Sequence, residues 1–112
     1  MDSKLQETTS YQPAVEALSQ TLAIEVDQAK YGTEGFTFIE EGRISLHLTG
    51  RETKEELLHL LLHELAHYIT REPHSERWWV EASRLYRLFG VYDFAKGYET
   101  EWEELWPTTK MS

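Results

Sequence analysis

The pentapeptide His63-Glu64-Leu65-Ala66-His67 lies in the middle of a long helical pattern, and it restricts the fold and chemistry of this chain more than any other stretch. Residues four apart on a helix sit one turn apart on the same face. Both imidazoles can therefore reach one metal ion while the intervening carboxylate reaches water held by that ion. The helix is well marked in the sequence. Thr53-Lys54-Glu55-Glu56 reads as a capping box, with Thr53 as N-cap and Glu56 at the third helical position, ahead of the apolar run Leu57 to Ile69. Pro73 disfavours a helical conformation at Glu72, so the helix is predicted to run from about Lys54 to Arg71. Leu58, Leu62, Leu65 and Ile69 form one stripe, and Leu57, Leu60, Leu61 and Tyr68 spread apolar character around the rest. That is the pattern of a central helix packed on several sides, with its histidine face opening on a cleft.

The flanking segments predict a small α+β domain. Pro13 suits a first helical turn, and Val15, Leu18, Leu22, Val26 and Ala29 recur at helical spacing up to Gly32, which predicts an N-terminal helix. Phe36 to Ile39, a turn at Glu40 to Arg43, and the alternating Ile44 to Leu48 predict a β-hairpin, with Ile44, Leu46 and Leu48 inward and Ser45 and His47 outward. After Pro73, Ser75 to Phe89 reads as a helix whose apolar face is Trp78, Trp79, Ala82, Leu85, Tyr86 and Phe89, stopped by Gly90. A short helix near Glu99 to Trp106 completes the tail ahead of Pro107. At 112 residues the chain reads as a single domain with one core, residues 1–10 and 107–112 being expected to be flexible.

A catalytic zinc generally takes three protein ligands and leaves a fourth position for water, so a third ligand is needed beside His63 and His67. His74 comes first: it lies seven residues after His67, just beyond Pro73, where a tight turn can swing its ring back to the helix face. Glu81, on the following helix, is the alternative, and Glu76 a third choice. His47 and His59 read as an outward strand side chain and a partly exposed helix residue. The chain has no cysteine, which excludes disulfides and thiolate zinc ligands and suits a reducing cytoplasm. Met1 to Ser10 is polar, unlike a secretory signal, and no apolar run approaches the length of a membrane span. A net charge of −9 disfavours a phosphate-binding surface, so direct nucleic-acid binding is not expected. A cytoplasmic protein with a peptide or protein partner is the expectation.

His63-Glu64-Leu65-Ala66-His67 followed by His74-Ser75-Glu76-Arg77-Trp78-Trp79 resembles the active-site region of SprT-like and WLM-type zinc metallopeptidases, which belong to the zincins. The residues that carry the resemblance span 17 of the 112 positions. It implies a minimal zincin-like fold with one Zn2+ held by His63, His67 and His74, and Glu64 as general base. No cysteine-rich zinc ribbon or basic extension accompanies it, so the DNA–protein crosslink repair role of some relatives is not implied. The size and element order also resemble the minimal single-domain gluzincins, in which the third ligand is a glutamate on the next helix; that resemblance implies Glu81.

On either resemblance the expected activity is peptide-bond hydrolysis by a zinc-activated water, with Glu64 accepting its proton and passing it to the leaving amine. Arg77, Tyr86 and Tyr98 are the candidate donors to the oxyanion. The outer edge of Ile44 to Leu48 is expected to hold an extended peptide by strand addition. Two alternatives stand beside the enzyme. One is a non-catalytic zinc-containing binding or adaptor module. The other is a latent peptidase blocked by its acidic tail, in which Glu99, Glu101, Glu103 and Glu104 lie beside Trp102 and Trp106, although a solvated acidic face is the plainer reading of those residues. An accidental motif in a small helical interaction protein is the remaining possibility.

Overall fold

The structure is a computed structural model that describes residues 22–108. It contains three strands, β1 (Ala23–Gln28), β2 (Glu34–Phe38) and β3 (Arg43–Leu48), followed by four helices, α1 (Lys54–Thr70), α2 (Glu76–Leu88), α3 (Tyr92–Tyr98) and α4 (Thr100–Leu105). The fold is a small α+β domain. Among the described residues no helix is long and apolar enough to cross a membrane.

The strands form one sheet in the order β1-β3-β2, with β1 parallel and β2 antiparallel to the central β3. The β2–β3 hairpin matches the alternation in the sequence. Its turn closes where the Gly42 N–H donates to the Ile39 carbonyl at 3.2 Å, with Gly42 in the left-handed region (φ 62°) that glycine adopts without strain. Ile44 and Leu46 are buried, as their phase requires, but Ser45 is buried as well, because β3 is flanked by a strand on each side.

Two expectations change here. Residues 22–29 are not helical: Ala23–Gln28 is a strand, while the earlier part of the expected N-terminal helix, from Pro13 to Thr21, lies outside the described residues. Leu22 and Val26, four apart, fit both a helical repeat and, with Ile24 between them, a strand repeat of two. The β-branched Ile24 and Val26 favour the strand, and the open side of β3 offers it a complete ladder. In addition, Thr108 falls within the tail expected to be flexible, yet it is buried, with its backbone N–H donating to Glu103 Oε2 (2.9 Å) and its hydroxyl accepting from Arg87 (3.0 Å). Residues 1–10 and 109–112 lie outside the described residues.

Helix α1 begins with the expected capping box: the Glu56 N–H donates to the Thr53 hydroxyl (3.1 Å) and the Thr53 N–H to the Glu56 carboxylate (2.7 Å). It ends at Arg71, which takes the left-handed conformation (φ 59°) and returns its N–H to the His67 carbonyl. One side of α1 packs on the sheet through Leu60, Leu61, Leu65 and Tyr68 against Ile44, Leu46 and Leu22. The other packs on α2, where Leu62 and Ala66 meet Trp78, Trp79, Ala82, Leu85 and Tyr86. Ile69 and Phe89, expected in the apolar stripes, lie at helix ends and are partly exposed. Helix α3, which the sequence did not announce, adds Ala95 to the core, and Val91 ahead of it is buried there too.

The connection from β3 to α1 is held by Glu52. Its carboxylate accepts from the Thr33 hydroxyl, the Thr49 N–H (2.8 Å) and hydroxyl (3.0 Å), and the Gly50 N–H (3.0 Å). The Thr33 hydroxyl above all, together with the Thr49 N–H, depresses the Glu52 pKa to about 2. A depressed carboxylate pKa stabilises the fold above the unfolded value and loses that contribution as pH falls through the folded value. Glu52→Gln is therefore expected to lower the urea midpoint at pH 7. The gap from wild type should close as pH drops from the ordinary carboxylate value of 4.5 toward about 2. A gap that is absent at pH 7, or unchanged at low pH, would contradict this role.

Candidate metal centre

His63 and His67 occupy adjacent turns of α1, and His74 returns to them from the turn between α1 and α2. That turn is built locally. Pro73 follows the left-handed Arg71, the Ser75 N–H donates to the Pro73 carbonyl (2.7 Å), and the Ser75 hydroxyl caps α2 by accepting from the Trp78 N–H (3.2 Å). The same hydroxyl contacts the Glu72 carboxylate. His63 Nε2 and His74 Nε2 come within 3.1 Å, and His63, His67 and His74 each place a ring nitrogen within 4.8 Å of the others.

The opposite ring nitrogens of the two helix histidines have their own acceptors. His63 Nδ1 donates to Glu99 Oε2 (2.6 Å), and His67 Nδ1 donates to the Glu72 carbonyl (2.7 Å). Fixing the proton on Nδ1 leaves Nε2 with a free lone pair and sets the ring orientation, as partners of ligating histidines do. Burial pushes His67 and His74 below the ordinary histidine value, and their mutual proximity to His63 adds to it. They are therefore neutral at pH 7, the form that ligates metal. The residues thus fit a divalent ion such as zinc: three imidazoles converge, and in two of them the opposite ring nitrogen is tied to an acceptor.

Aromatic rings wall the cluster. The fully buried Trp78 stacks on His67 (centroids 5.0 Å, 17° between planes) and meets His63 and His74 edge-on, and its indole N–H donates to the His63 carbonyl at 3.3 Å. Trp102 of α4 stacks on His74 (5.3 Å, 23°), and Trp106 stacks on Trp102.

Glu64 is 7% exposed and faces β2. The Thr37 hydroxyl reaches both its Oε1 (2.6 Å) and its backbone carbonyl (3.0 Å). Gly35 lies so close that a Cβ there would stand 3.0 Å from Glu64 Cγ and Leu60 Cδ1 and 3.1 Å from Glu64 Oε2. Glycine inside a strand signals this kind of close approach. Gly35→Ala is expected to displace the Glu64 side chain and depress any Glu64-dependent activity at least tenfold, with a melting temperature shift of only a few degrees. Wild-type turnover in that variant would refute the seat assigned to Gly35.

The other sequence candidates separate cleanly. Glu81 pairs with Arg84 (2.6 Å) and lines a shallow groove with Ile69, Thr70, Glu76 and Arg77, apart from the histidine cluster. Arg77 is exposed and pairs with Glu72 (3.3 Å). Tyr86 is fully buried, and its hydroxyl donates to Glu99 Oε1 (2.9 Å); burial and the adjacent Glu99 charge raise its pKa far above normal. Tyr98 is largely exposed and borders a cavity shared with His59, His63, Glu64 and Glu99. His47 is half-buried against Phe36. His59 is partly exposed, as expected, and its ring sits among Tyr86, Phe94 and Tyr98.

The acidic tail is not uniformly solvated. Glu101 and Glu104 are exposed, Glu103 accepts from the Trp79 indole (3.2 Å), and Glu99 is only 6% exposed. Burial opposes the Glu99 charge, but the contacts from His59 and His63 outweigh it and hold its pKa at about 2. Nothing in the sequence sets Glu99 apart from the other acidic residues of the tail; its position follows from the turn between α3 and α4. The strand-addition edge changes too. β3 is paired on both sides, and it is β2, through Gly35, Phe36 and Thr37, that borders the cleft with His63, His67 and His74.

Set against protein families, curated proteins and solved structures, the chain gives no match.

Proposed function

We propose that the protein is a zinc-dependent peptidase in which His63, His67 and His74 hold one zinc ion and Glu64 is the general base. The observation that carries this reading is the directed convergence of the three rings, with the Nδ1 protons of His63 and His67 committed to Glu99 and the Glu72 carbonyl. Zinc in such a site supplies a water of near-neutral pKa and polarises a peptide carbonyl. The protein's own groups do the rest. Glu64 takes the proton of the attacking water and delivers it to the leaving amine, while the Thr37 hydroxyl on Oε1 holds the carboxylate in place. The edge of β2 aligns the substrate backbone along the cleft, and Tyr98 is the oxyanion donor best placed among the three candidates. His74 supplies the third ligand in preference to Glu81, whose carboxylate is held by Arg84.

The test is elemental analysis of the purified protein together with cleavage of a diverse peptide library. The expected result is zinc in the His63–His67–His74 site and cleavage that stops with a chelator. His74→Ala should lose that zinc and Glu81→Ala should keep it. Cleavage that persists without metal, or zinc retained at that site after His74→Ala, would overturn the assignment. A binding module with the same metal site would keep its zinc and cleave nothing.

A further inference from the structure

We propose a second divalent-cation site on the other side of His63, formed by His59 Nε2, His63 Nδ1 and the Glu99 carboxylate. It shares His63, and the Glu99 carboxylate that orients it, with the peptidase reading, and the metal counts below distinguish the failure of one from the failure of the other.

His59 and His63 lie one turn apart on α1 and present their rings on the same side, with centroids 6.2 Å apart. Glu99 enters between them from the junction of α3 and α4 and is itself buried. Its Oε2 lies 2.6 Å from His63 Nδ1 and 3.2 Å from His59 Nε2, and the three donors fall within 4.8 Å of one another. Two imidazoles and a carboxylate are an ordinary donor set for zinc or cobalt.

The second observation is independent of that clustering. His59 Nε2 is shut off from solvent, and among the described residues it makes no hydrogen bond: Glu99 is near it but out of line. A buried ring nitrogen that faces a carboxylate at 3.2 Å without an aligned hydrogen bond calls for an explanation, since such groups are nearly always hydrogen-bonded. A cation between His59 and Glu99 satisfies it. The surroundings also suit a site with a fixed ring. Tyr86 and Phe94 meet His59 edge-on (5.4 and 6.0 Å), Tyr98 lies beside it (5.9 Å), and the Tyr86 hydroxyl anchors the far oxygen of Glu99. The cavity next to His59, Glu99 and Tyr98 gives an ion a way in.

The close 2.6 Å approach of His63 Nδ1 to Glu99 reflects the proton between them. When the ion enters, Nδ1 gives up its proton and becomes a ligand: with the three-histidine site empty Nε2 carries a proton instead, and with it filled the proton goes to solvent and the ring binds as the imidazolate. The two donors part by roughly 0.7–1 Å to admit metal–ligand distances near 2.0–2.2 Å. If the three-histidine site is filled as well, the His63 ring serves both ions, one from each nitrogen. Giving up that proton makes the second site the weaker of the two.

The test is metal counting by equilibrium dialysis of the chelator-stripped full chain against Co2+, with circular dichroism to verify folding. Wild type is expected to take up two ions. His59→Phe, which keeps the aromatic packing, and Glu99→Gln should take up one, His74→Ala one, and His63→Ala none. Wild type binding one ion that His59→Phe loses and His74→Ala keeps would leave this site standing and remove the three-histidine assignment. Saturation at one ion that His59→Phe retains, or no ion at all, would overturn the second site.

Discussion

Peptide cleavage is expected to fall by about two to four orders of magnitude when Glu64 becomes glutamine, the range associated with loss of a positioned acid–base group. Zinc content should not change, because Glu64 is outside the ligand cluster. The substitution is nearly isosteric, and the amide oxygen can still accept from the Thr37 hydroxyl that now bonds Oε1 at 2.6 Å. The seat on β2 is thus preserved and only proton acceptance is lost. Single-turnover cleavage at saturating substrate separates this from weaker binding: a transition-state role lowers kcat, whereas a binding role raises KM. Turnover within a few-fold of wild type would remove Glu64 from the chemistry, and zinc loss in the variant would show that it acts on the metal site instead.

The largest effect on stability is expected at Trp78. Truncating a buried tryptophan to alanine costs about 3–5 kcal/mol, against a total of about 5–15 kcal/mol for a domain of this kind. Trp78 is fully buried where α2 meets α1, touches Trp79 and Trp102, and donates to the His63 carbonyl. It also stacks on His67, so its loss frees the ligand rings as well as opening a void. Urea denaturation of chelator-treated Trp78→Ala isolates the packing contribution from that of bound zinc. Trp78→Phe, which retains most of the volume, should recover much of the stability while binding zinc more weakly than wild type. A destabilisation below about 1 kcal/mol for Trp78→Ala would mean that the α1–α2 interface is held elsewhere, since that is the cost of an average substitution.

The two substitutions separate what local sequence can announce from what it cannot. The pairing of His63 and His67 on one helix face needs only the helical repeat, and the limits of that helix need only Thr53, Glu56 and Pro73. All of these are interactions within a few residues, which is why α1 and its caps match expectation. His74 was legible for a similar reason: a proline turn and a serine cap act over short range. Residues 22–29 mark the limit. Leu22, Ile24 and Val26 satisfy both periods, and the choice between helix and strand depended on whether β3 had an open side.

The supporting residues of the site depend on long-range placement. Thr37 and Gly35 lie 27 and 29 positions before Glu64 in the chain and reach it only because the sheet packs against α1. Glu99 lies 36 positions after His63 and reaches it only because α3 and α4 fold back over α2. No spacing rule links such residues, so in the sequence Thr37 is a strand threonine, Gly35 a weak point in a strand, and Glu99 one acidic residue among several. The composition and short-range patterns were enough for an α+β domain with two histidines and a glutamate on a capped helix. The tertiary packing decided which carboxylate orients His63 and which strand borders the cleft. Hydrogen bonds and buried contacts between distant segments are set by how the elements pack, and local periodicity carries no record of that.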